Sequence, residues 1–271
     1  MKGANGTVDL GLKGRVAAVA AASEGLGFAA ARALAAEGAR LAICSRRADA
    51  VEAAARRIRE DTGAEVLAVA ADVAKPGSVG AFLEQIERHY GRLDVLVTNA
   101  GGPRAGGFFD MEDADWYAAF DLLVMSVVRM VRGAVPLMRR TGRGGSIVAV
   151  TSYSLKEPIA GLVLSNAMRA AVAGLCKTLA EELGPEGIRV NVIVQGRFDT
   201  ERVRHLDRLR AEKEGTTPEQ VAARHSAAIP LRRYGHPDEL GRVIAFLSSD
   251  AAAYVTGAAW TVDGGLVRTL W

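Results

Sequence analysis

Short runs of apolar residues alternate with longer stretches of helical periodicity along most of the chain. The apolar runs predict buried β-strands at Arg15–Ala21, Arg40–Cys44, Val66–Ala70, Asp94–Val97, Ser146–Val150, Arg189–Val194 and Ala259–Val262. The longer stretches predict helices at Phe28–Glu37, Ala48–Asp61, Ser78–Tyr90, Ala114–Arg140 and Ser165–Leu183. Strands that are apolar throughout and separated by helices are typical of a parallel sheet covered on both faces. The pattern predicts an α/β, three-layer, doubly wound Rossmann fold with a mostly or fully parallel sheet of about seven strands.

One segment, 197–229, departs from this alternation because it is polar and carries several arginines among nearly as many acids. Mixed charge of this kind is typical of solvated helices. The segment also follows a strand end beside the expected ligand crevice, which suits a lid over a substrate. We therefore expect one dinucleotide-binding domain over 1–271, with a substrate lid within about 197–230.

Composition narrows the classes of partner. Hydrophobic residues make up 49% and charged residues 24%, which is ordinary for a globular domain. The net charge of +3 is too small to predict a nucleic-acid partner. No apolar stretch reaches the roughly 20 residues of a membrane span, and residues 1–6 lack the apolar core of a secretory signal. Two cysteines, Cys44 and Cys176, fit a reduced compartment, and no metal-ligand cluster is evident. We expect a cytoplasmic protein that binds a small molecule and neither nucleic acid, membrane nor metal.

A glycine-rich turn, Ala20-Ala21-Ala22-Ser23-Glu24-Gly25-Leu26-Gly27, follows the first predicted strand. Glycines at a strand-to-helix turn let the backbone approach a pyrophosphate, and the helix N-terminus supplies free N–H groups. A plain tight turn would also explain the spacing. The turn belongs to the first strand–helix unit of a doubly wound pattern, which favours a dinucleotide site.

Over essentially its whole length, the chain resembles the short-chain dehydrogenases/reductases, and most closely the bacterial 3-oxoacyl-acyl-carrier-protein reductases. The elements that carry the resemblance occur in the family's order: Gly25 and Gly27, Asp72-Val73, Asn99-Ala100-Gly101, Val190-Asn191, Gly196, Thr200 and Val262-Asp263-Gly264-Gly265. The family has Thr-Gly where this chain has Ala20-Ala21, a change that is tolerable if the backbone φ there is negative. The resemblance implies that the cofactor is held by Ser23, Gly25, Leu26, Gly27, Asp72, Val73, Asn99, Ala100, Gly101 and Thr200.

The end of the second predicted strand, Ser45-Arg46-Arg47, bears on the choice of cofactor. An acid there would pair with a ribose 2′-hydroxyl, whereas arginine suits a 2′-phosphate. The three residues therefore favour NADP(H) over NAD(H). Glu24 argues the other way, because many NADP-preferring relatives have a basic residue there. A solvated loop with two surface arginines is the alternative interpretation.

Three of the family's four catalytic residues are replaced. The family uses Ser, Tyr and Lys, assisted by Asn; the Lys holds the ribose and lowers the pKa of the Tyr, which exchanges a proton with the substrate. The resemblance puts Ser165 at the Tyr position, Arg169 at the Lys position and Leu123 at the Asn position, whereas Ser152 is retained. A serine hydroxyl is shorter and far less acidic than a phenol, and arginine cannot lose its proton. Gln195 also replaces the Pro that usually precedes Gly196 in the family.

Tyr153, directly after Ser152, is a further candidate proton donor, and a packing role for it is equally open. The candidate catalytic residues are thus Ser152, Tyr153, Ser165 and Arg169, with Arg169 also expected to contact the cofactor. We expect an NADP(H)-dependent oxidoreductase with an atypical active site, acting on a carbonyl or alcohol, an imine or an activated C=C bond. The alternatives are a cofactor-binding protein without hydride chemistry, such as a sensor or inactive subunit, and non-redox chemistry such as dehydration.

The resemblance also implies a homotetramer. One interface would be formed by the helices Ala114–Arg140 and Ser165–Leu183, and the other by the C-terminal strand near Val262. The apolar chain end, Leu270-Trp271, is consistent with burial against a partner. His225, within the expected lid, is predicted to be a surface histidine.

Overall fold

The computed structural model describes residues 9–270 and contains one seven-stranded sheet in the order β3-β2-β1-β4-β5-β6-β7. The strands are β1 (Val16–Val19), β2 (Arg40–Ser45), β3 (Val66–Ala70), β4 (Val95–Thr98), β5 (Gly145–Val150), β6 (Ile188–Gln195) and β7 (Ala259–Val262). All neighbouring strands pair in parallel, so the predicted doubly wound parallel sheet is confirmed.

Helices cover both faces of the sheet because successive residues of each strand point to opposite sides. The helices are α1 (Gly25–Ala36), α2 (Ala48–Thr62), α3 (Pro76–Tyr90), α4 (Asp113–Phe120), α5 (Ser126–Arg139), α6 (Val163–Leu183), α7 (Glu201–Glu214), α8 (Pro218–Ala228) and α9 (Pro237–Ser248). In β1, Val16 and Ala18 join an apolar cluster with residues of α3, α5 and α6. Ala17 and Val19 join a second cluster with residues of α1, α2 and α9. The core therefore consists of two apolar layers separated by the sheet.

The sheet reverses its winding between β1 and β4, which are neighbours although β2 and β3 lie between them in sequence. A crevice opens at the carboxyl ends of the strands at such a reversal, and ligands of open α/β sheets bind there. The glycine-rich turn after β1 and the Asn99-Ala100-Gly101 segment after β4 both belong to this edge. The fold thus brings together the two segments on which the cofactor prediction depends.

The single long helix predicted over Ala114–Arg140 is interrupted. A π-helical turn over Asp121–Met125 separates α4 from α5. Such a turn contains an extra residue and disturbs the regular backbone bonding, and it is found most often at functional sites. The Oγ of Ser126 donates a hydrogen bond to the Leu123 carbonyl at 3.4 Å. Apolar periodicity continues through both helices, so the sequence pattern did not reveal the interruption.

The polar segment that follows β6 forms two helices, α7 and α8, joined by a short turn at Gly215. The prediction of a surface position for His225 is wrong, because its side chain is only 14% exposed. Its Nδ1 lies 3.1 Å from Oδ1 of Asp207, a buried residue of α7. The two helices pack against each other, and this contact removes one face of each from solvent.

Within residues 9–270, no helix is both long and apolar enough to cross a membrane. The same part of the chain contains no group of three or more His, Cys, Asp or Glu side chains arranged to hold a metal ion. Cys44 and Cys176 are both free and buried. Burial raises the pKa of each thiol to about 12, so neither forms a reactive thiolate near neutral pH.

Candidate active site

The turn after β1 contains backbone strain at the position where the family has glycine. Ala21 has a φ of +49°, in the left-handed region that residues with a Cβ rarely adopt. The condition under which alanine was expected to be tolerable, a negative φ, is therefore not met. The backbone strain at Ala21 arises because the turn must reverse the chain tightly between β1 and α1.

Gly27 shows how closely this turn approaches the first helix. A Cβ added at Gly27 would lie 2.2 Å from the carbonyl oxygen of Ala21 and 2.9 Å from Nδ2 of Asn99. Only glycine fits such a contact with backbone. The first turn of α1 is therefore held directly against the turn, with its N–H groups available to a phosphate.

Residues that follow β4 and β6 lie against the glycine-rich turn. Nδ2 of Asn99 donates a hydrogen bond to the Ala21 carbonyl at 3.4 Å. A Cβ at Gly25 would lie 3.6 Å from Cγ2 of Thr200, which places Thr200 over the glycine-rich turn. The Oγ1 of Thr200 also accepts a hydrogen bond from Val203 N and so begins α7. Four of the residues predicted to hold the cofactor are thus neighbours in space, namely Gly25, Gly27, Asn99 and Thr200. Ser23 lies in the loop before α1, Leu26 in the first turn of α1, and Ala100 and Gly101 in the loop after β4.

The candidate adenine side lies at the ends of β2 and β3. Ser45 is buried, and its Oγ donates to the Arg47 carbonyl at 3.3 Å. The side chains of Arg46 and Arg47 are exposed. Asp72 accepts a hydrogen bond from Ala74 N at 3.1 Å, and its own N–H donates to Ser78 Oγ. Val73, the next residue along from Asp72, is buried.

Ser165 and Arg169, the residues expected at the family's Tyr and Lys positions, are hydrogen-bonded to each other. They lie four residues apart on α6, and Nε of Arg169 donates to Ser165 Oγ at 3.1 Å. Nη1 of Arg169 donates to the Val150 carbonyl at 3.3 Å, at the end of β5. Because Ser165 Oγ accepts from Arg169, its own proton remains available to a ligand.

Arg169 lies in a poorly hydrated position. Burial, with a further contribution from the positive charge of Arg202, lowers the pKa of Arg169 to about 10. The guanidinium remains protonated at neutral pH. The site therefore keeps a fixed positive charge where the family has a lysine.

The other two candidate residues, Ser152 and Tyr153, follow β5. Ser152 is buried, and its Oγ accepts a hydrogen bond from Ser154 N at 3.2 Å. The half-buried ring of Tyr153 packs against the apolar cluster under α3, α5 and α6. No hydrogen bond joins the phenol to another residue in the part of the chain that the structure describes. This placement favours the packing role for Tyr153.

A small cavity of about 20 Å³ adjoins Arg169. Its walls include Thr98, Asn99, Leu123 and Ser126. Thr98 Oγ1 is buried and has no hydrogen-bond partner among the described residues. The volume suits one water molecule, which would satisfy this hydroxyl. Leu123, the residue expected at the family's asparagine position, thus forms an apolar wall of the cavity.

The sequence reasoning missed one further residue, Arg202, the second residue of α7. Its Nη2 donates to the Pro103 carbonyl at 2.9 Å, and a Cβ at Gly102 would lie 2.9 Å from its Cζ. Desolvation lowers its pKa. Its place two residues after Thr200, at the start of the expected lid, is the signal that could have identified it.

Comparison with known proteins agrees with this architecture. A family model described as Enoyl-(Acyl carrier protein) reductase matches residues 20–267. Oxidoreductase UcpA of Escherichia coli K12 is 34% identical over 259 residues, which cover 94% of this chain and 95% of that protein. The 3-oxoacyl-[acyl-carrier-protein] reductase FabG of Chlamydia trachomatis is 30% identical over 256 residues, covering 94% of this chain and 98% of its own. The chain is also similar to the crystal structure of L-sorbose reductase from Gluconobacter frateurii, which is complexed with NADPH and L-sorbose. The TM-score is 0.93 at 35% identity, and the match covers 97% of this chain and 100% of that one.

The parallel sheet, the glycine-rich turn at its winding reversal and the matches over nearly the whole chain all lead to one assignment. The chain belongs to the short-chain dehydrogenase/reductase family of oxidoreductases, close to its FabG-like members.

Proposed function

We propose that the protein is an NADP(H)-dependent oxidoreductase that acts on a carbonyl or alcohol, an imine or an activated C=C bond. The observation that carries the proposal is the close contact of Gly27 with Ala21 and Asn99, which preserves a phosphate-binding turn beside Arg169.

The residues present fit a nicotinamide dinucleotide. The N–H groups at the start of α1 suit a pyrophosphate, and the exposed Arg46 and Arg47 suit a 2′-phosphate. Asp72 and Val73 would contact the adenine, and Arg169 with Thr200 would contact the nicotinamide half. When bound, the nicotinamide supplies or accepts the hydride.

Ser165 and Arg169 form the polar pair that faces the reacting atoms in this proposal. Arg169 donates to Ser165 Oγ, so the serine hydrogen is oriented away from the arginine and can bond a substrate oxygen. Fixed donors and a positive charge stabilise negative charge that develops on that oxygen. Neither residue is acidic enough to take the place of a phenol as the proton donor. We therefore expect low activity on simple ketones and higher activity on substrates that supply the proton themselves.

The replacement of the family's tyrosine and lysine specifically favours a second candidate function. A protein that binds the cofactor without transferring hydride, or that carries out a dehydration, would need neither residue. Cofactor binding is common to both candidates, and turnover separates them.

We also propose that the protein acts in the cytoplasm as a homotetramer. The two buried, free cysteines suit a reducing compartment. Exposed aromatic side chains on α4 suit an interface between copies of the chain.

The test begins with fluorescence titration of NADPH and NADH, followed by a turnover screen on ketones, imines and enones. The double variant Ser165→Tyr, Arg169→Lys should raise ketone reduction by orders of magnitude over the intact protein, because it restores an acidic phenol and its cationic partner. Ser165→Tyr alone is the matched control and should gain less.

Tyr153→Phe separates the remaining donor candidates. Because the Tyr153 ring is packed in the apolar cluster, we expect this variant to keep most of whatever activity the intact protein has. A large loss would instead assign proton donation to Tyr153. Failure of both cofactors to bind would overturn the proposed function altogether.

A further inference from the structure

Arg169 and Arg202 are two half-buried cations that have no carboxylate partner among residues 9–270. Arg169 donates to Ser165 Oγ and the Val150 carbonyl, and Arg202 donates to the Pro103 carbonyl. A guanidinium has five N–H donors, so most of their hydrogen-bonding capacity is unused by the residues that the structure describes. Burying a positive charge without a counter-ion is costly unless a ligand supplies one.

Most of the other poorly exposed arginines of the described chain are neutralised or saturated. Arg15, Arg129 and Arg197 each form an ion pair, with Asp250, Asp121 and Asp207 respectively. Arg189 donates to the carbonyls of Leu247, Val255 and Ser249. Arg40 is the exception, because it donates to the Gly14 carbonyl at 3.5 Å and lies over the Tyr90 ring instead of pairing with a carboxylate. Among the described residues, Arg169 and Arg202 have neither an ion pair nor an aromatic ring beneath the guanidinium.

Both cations lie along the segment that follows β4. Arg169 lines the small cavity together with Asn99 and Ala100, at the start of the segment that follows β4. Arg202 lies against Gly102 and Pro103, at the far end of that segment. The charge of Arg202 contributes to the lowered pKa of Arg169, which means that the two cations repel each other in the absence of an anion.

We propose that Arg169 and Arg202 form an anion-recognition pair and that the substrate is an organic acid with a carboxylate close to its reducible bond. A planar carboxylate matches the paired N–H groups of a guanidinium and neutralises both charges at once. Arg202 belongs to the first turn of α7 and already contacts the segment after β4, so the bound acid also contacts the start of the expected lid. This inference rests on the proposed oxidoreductase function, because it names the substrate class of the same site.

The test uses three acids, each paired with its ethyl ester: 2-oxo-4-phenylbutanoate, 3-oxohexanoate and trans-cinnamate. Binding is measured by titration calorimetry on the protein saturated with NADP⁺, so that no reduction takes place. At least one acid should bind tenfold or more tightly than its ester, a difference of about 1.4 kcal/mol. Arg202→Gln should bring that ratio close to one, and Arg202→Lys should retain part of it.

Arg204→Gln is the matched control. Arg204 lies on the same helix but is exposed and already paired with Asp199 and Glu201, so its replacement should leave the acid-to-ester ratio unchanged. The proposal is wrong if no acid binds more tightly than its ester, or if Arg204→Gln has the same effect as Arg202→Gln. It is also wrong if Arg202→Gln weakens NADPH binding tenfold but leaves the ratio unchanged, since the anion would then be a phosphate of the cofactor. If the intact protein bound neither cofactor, the proposed function would be wrong. The acid-to-ester affinity ratio would then be measured on the cofactor-free protein, so the two failures can be distinguished.

Discussion

At the scale of single residues, Ser165 and Arg169 are proposed to occupy the positions where the family has its catalytic tyrosine and lysine. Arg169 keeps a positive charge but not the ability of lysine to lose a proton. Ser165 keeps a hydroxyl but neither the reach nor the acidity of a phenol, whose unperturbed pKa is about 10. Ala21 keeps the left-handed conformation of a glycine at the cost of strain.

Ala21→Gly should stabilise the protein by about 1 kcal/mol, because glycine adopts a positive φ without steric penalty. For a chain of about this size, the gain corresponds to a rise in Tm of roughly 2–4 °C. Differential scanning calorimetry would measure it. Ala22→Gly is the control: Ala22 is buried and outside the left-handed region, so this change should lower the Tm. Equal shifts for both variants would show that Ala21 is not strained.

Arg46 is predicted to select the cofactor. NADPH should bind at least tenfold more tightly than NADH, about 1.4 kcal/mol, because the guanidinium can pair with a 2′-phosphate. Arg46→Ala should remove most of the difference in fluorescence titrations. Arg56→Ala removes an exposed positive charge from α2 and should leave it intact. Equal affinities of the unmodified protein for the two cofactors would refute the prediction.

At the scale of elements, the α7–α8 pair is held by a buried carboxylate. Asp207 Oδ2 accepts a hydrogen bond from the Tyr234 hydroxyl at 2.8 Å, and its Oδ1 lies 3.1 Å from His225 Nδ1 and 3.6 Å from Arg197 Nη1. Desolvation and the hydrogen bond to Asp207 raise the pKa of Tyr234, so the phenol stays protonated as a donor. These contacts join both helices of the expected lid to the loop that precedes α9.

Tyr234→Phe should therefore loosen the lid, since a hydrogen bond to a charged acceptor is worth about 1.5–3 kcal/mol. We expect faster amide hydrogen exchange in α7 and α8 and little change in the central strands. Tyr254→Phe serves as the comparison, because Tyr254 is fully exposed. Unchanged exchange in α7 and α8 would show that the cluster around Asp207 does not hold the lid.

At the scale of the whole molecule, the described chain leaves several large apolar side chains in solvent. Phe108, Phe109, Tyr117 and Phe120 are exposed on α4 and the turn before it. This patch lies at the start of the region expected to form one tetramer interface. Leu270 is also exposed, whereas Trp271, the other residue of the apolar chain end, lies outside the described residues.

Light scattering at micromolar concentration should give the mass of a homotetramer. Tyr117→Asp should reduce it to a smaller species, because a charge would replace an aromatic contact in the interface. Leu209→Asp, a similar change on the exposed side of α7, should leave the mass unchanged. A monomeric mass for the unmodified protein would contradict the predicted assembly.

The assignment of Ser165 and Arg169 to the family's catalytic positions rests on the resemblance to the family and stays a prediction. Local residue pattern was sufficient to predict the seven parallel strands and the glycine-rich turn after β1. These features depend on periodicity and on residue identity at fixed spacing, both of which can be seen along the chain. The sign of φ at Ala21, the π-helical turn before α5 and the burial of His225 depend on contacts between segments far apart in sequence. The proximity of Arg202 to Arg169 has the same origin, because packing of α7 against the segment after β4 brings the Arg202 side chain to the Pro103 carbonyl.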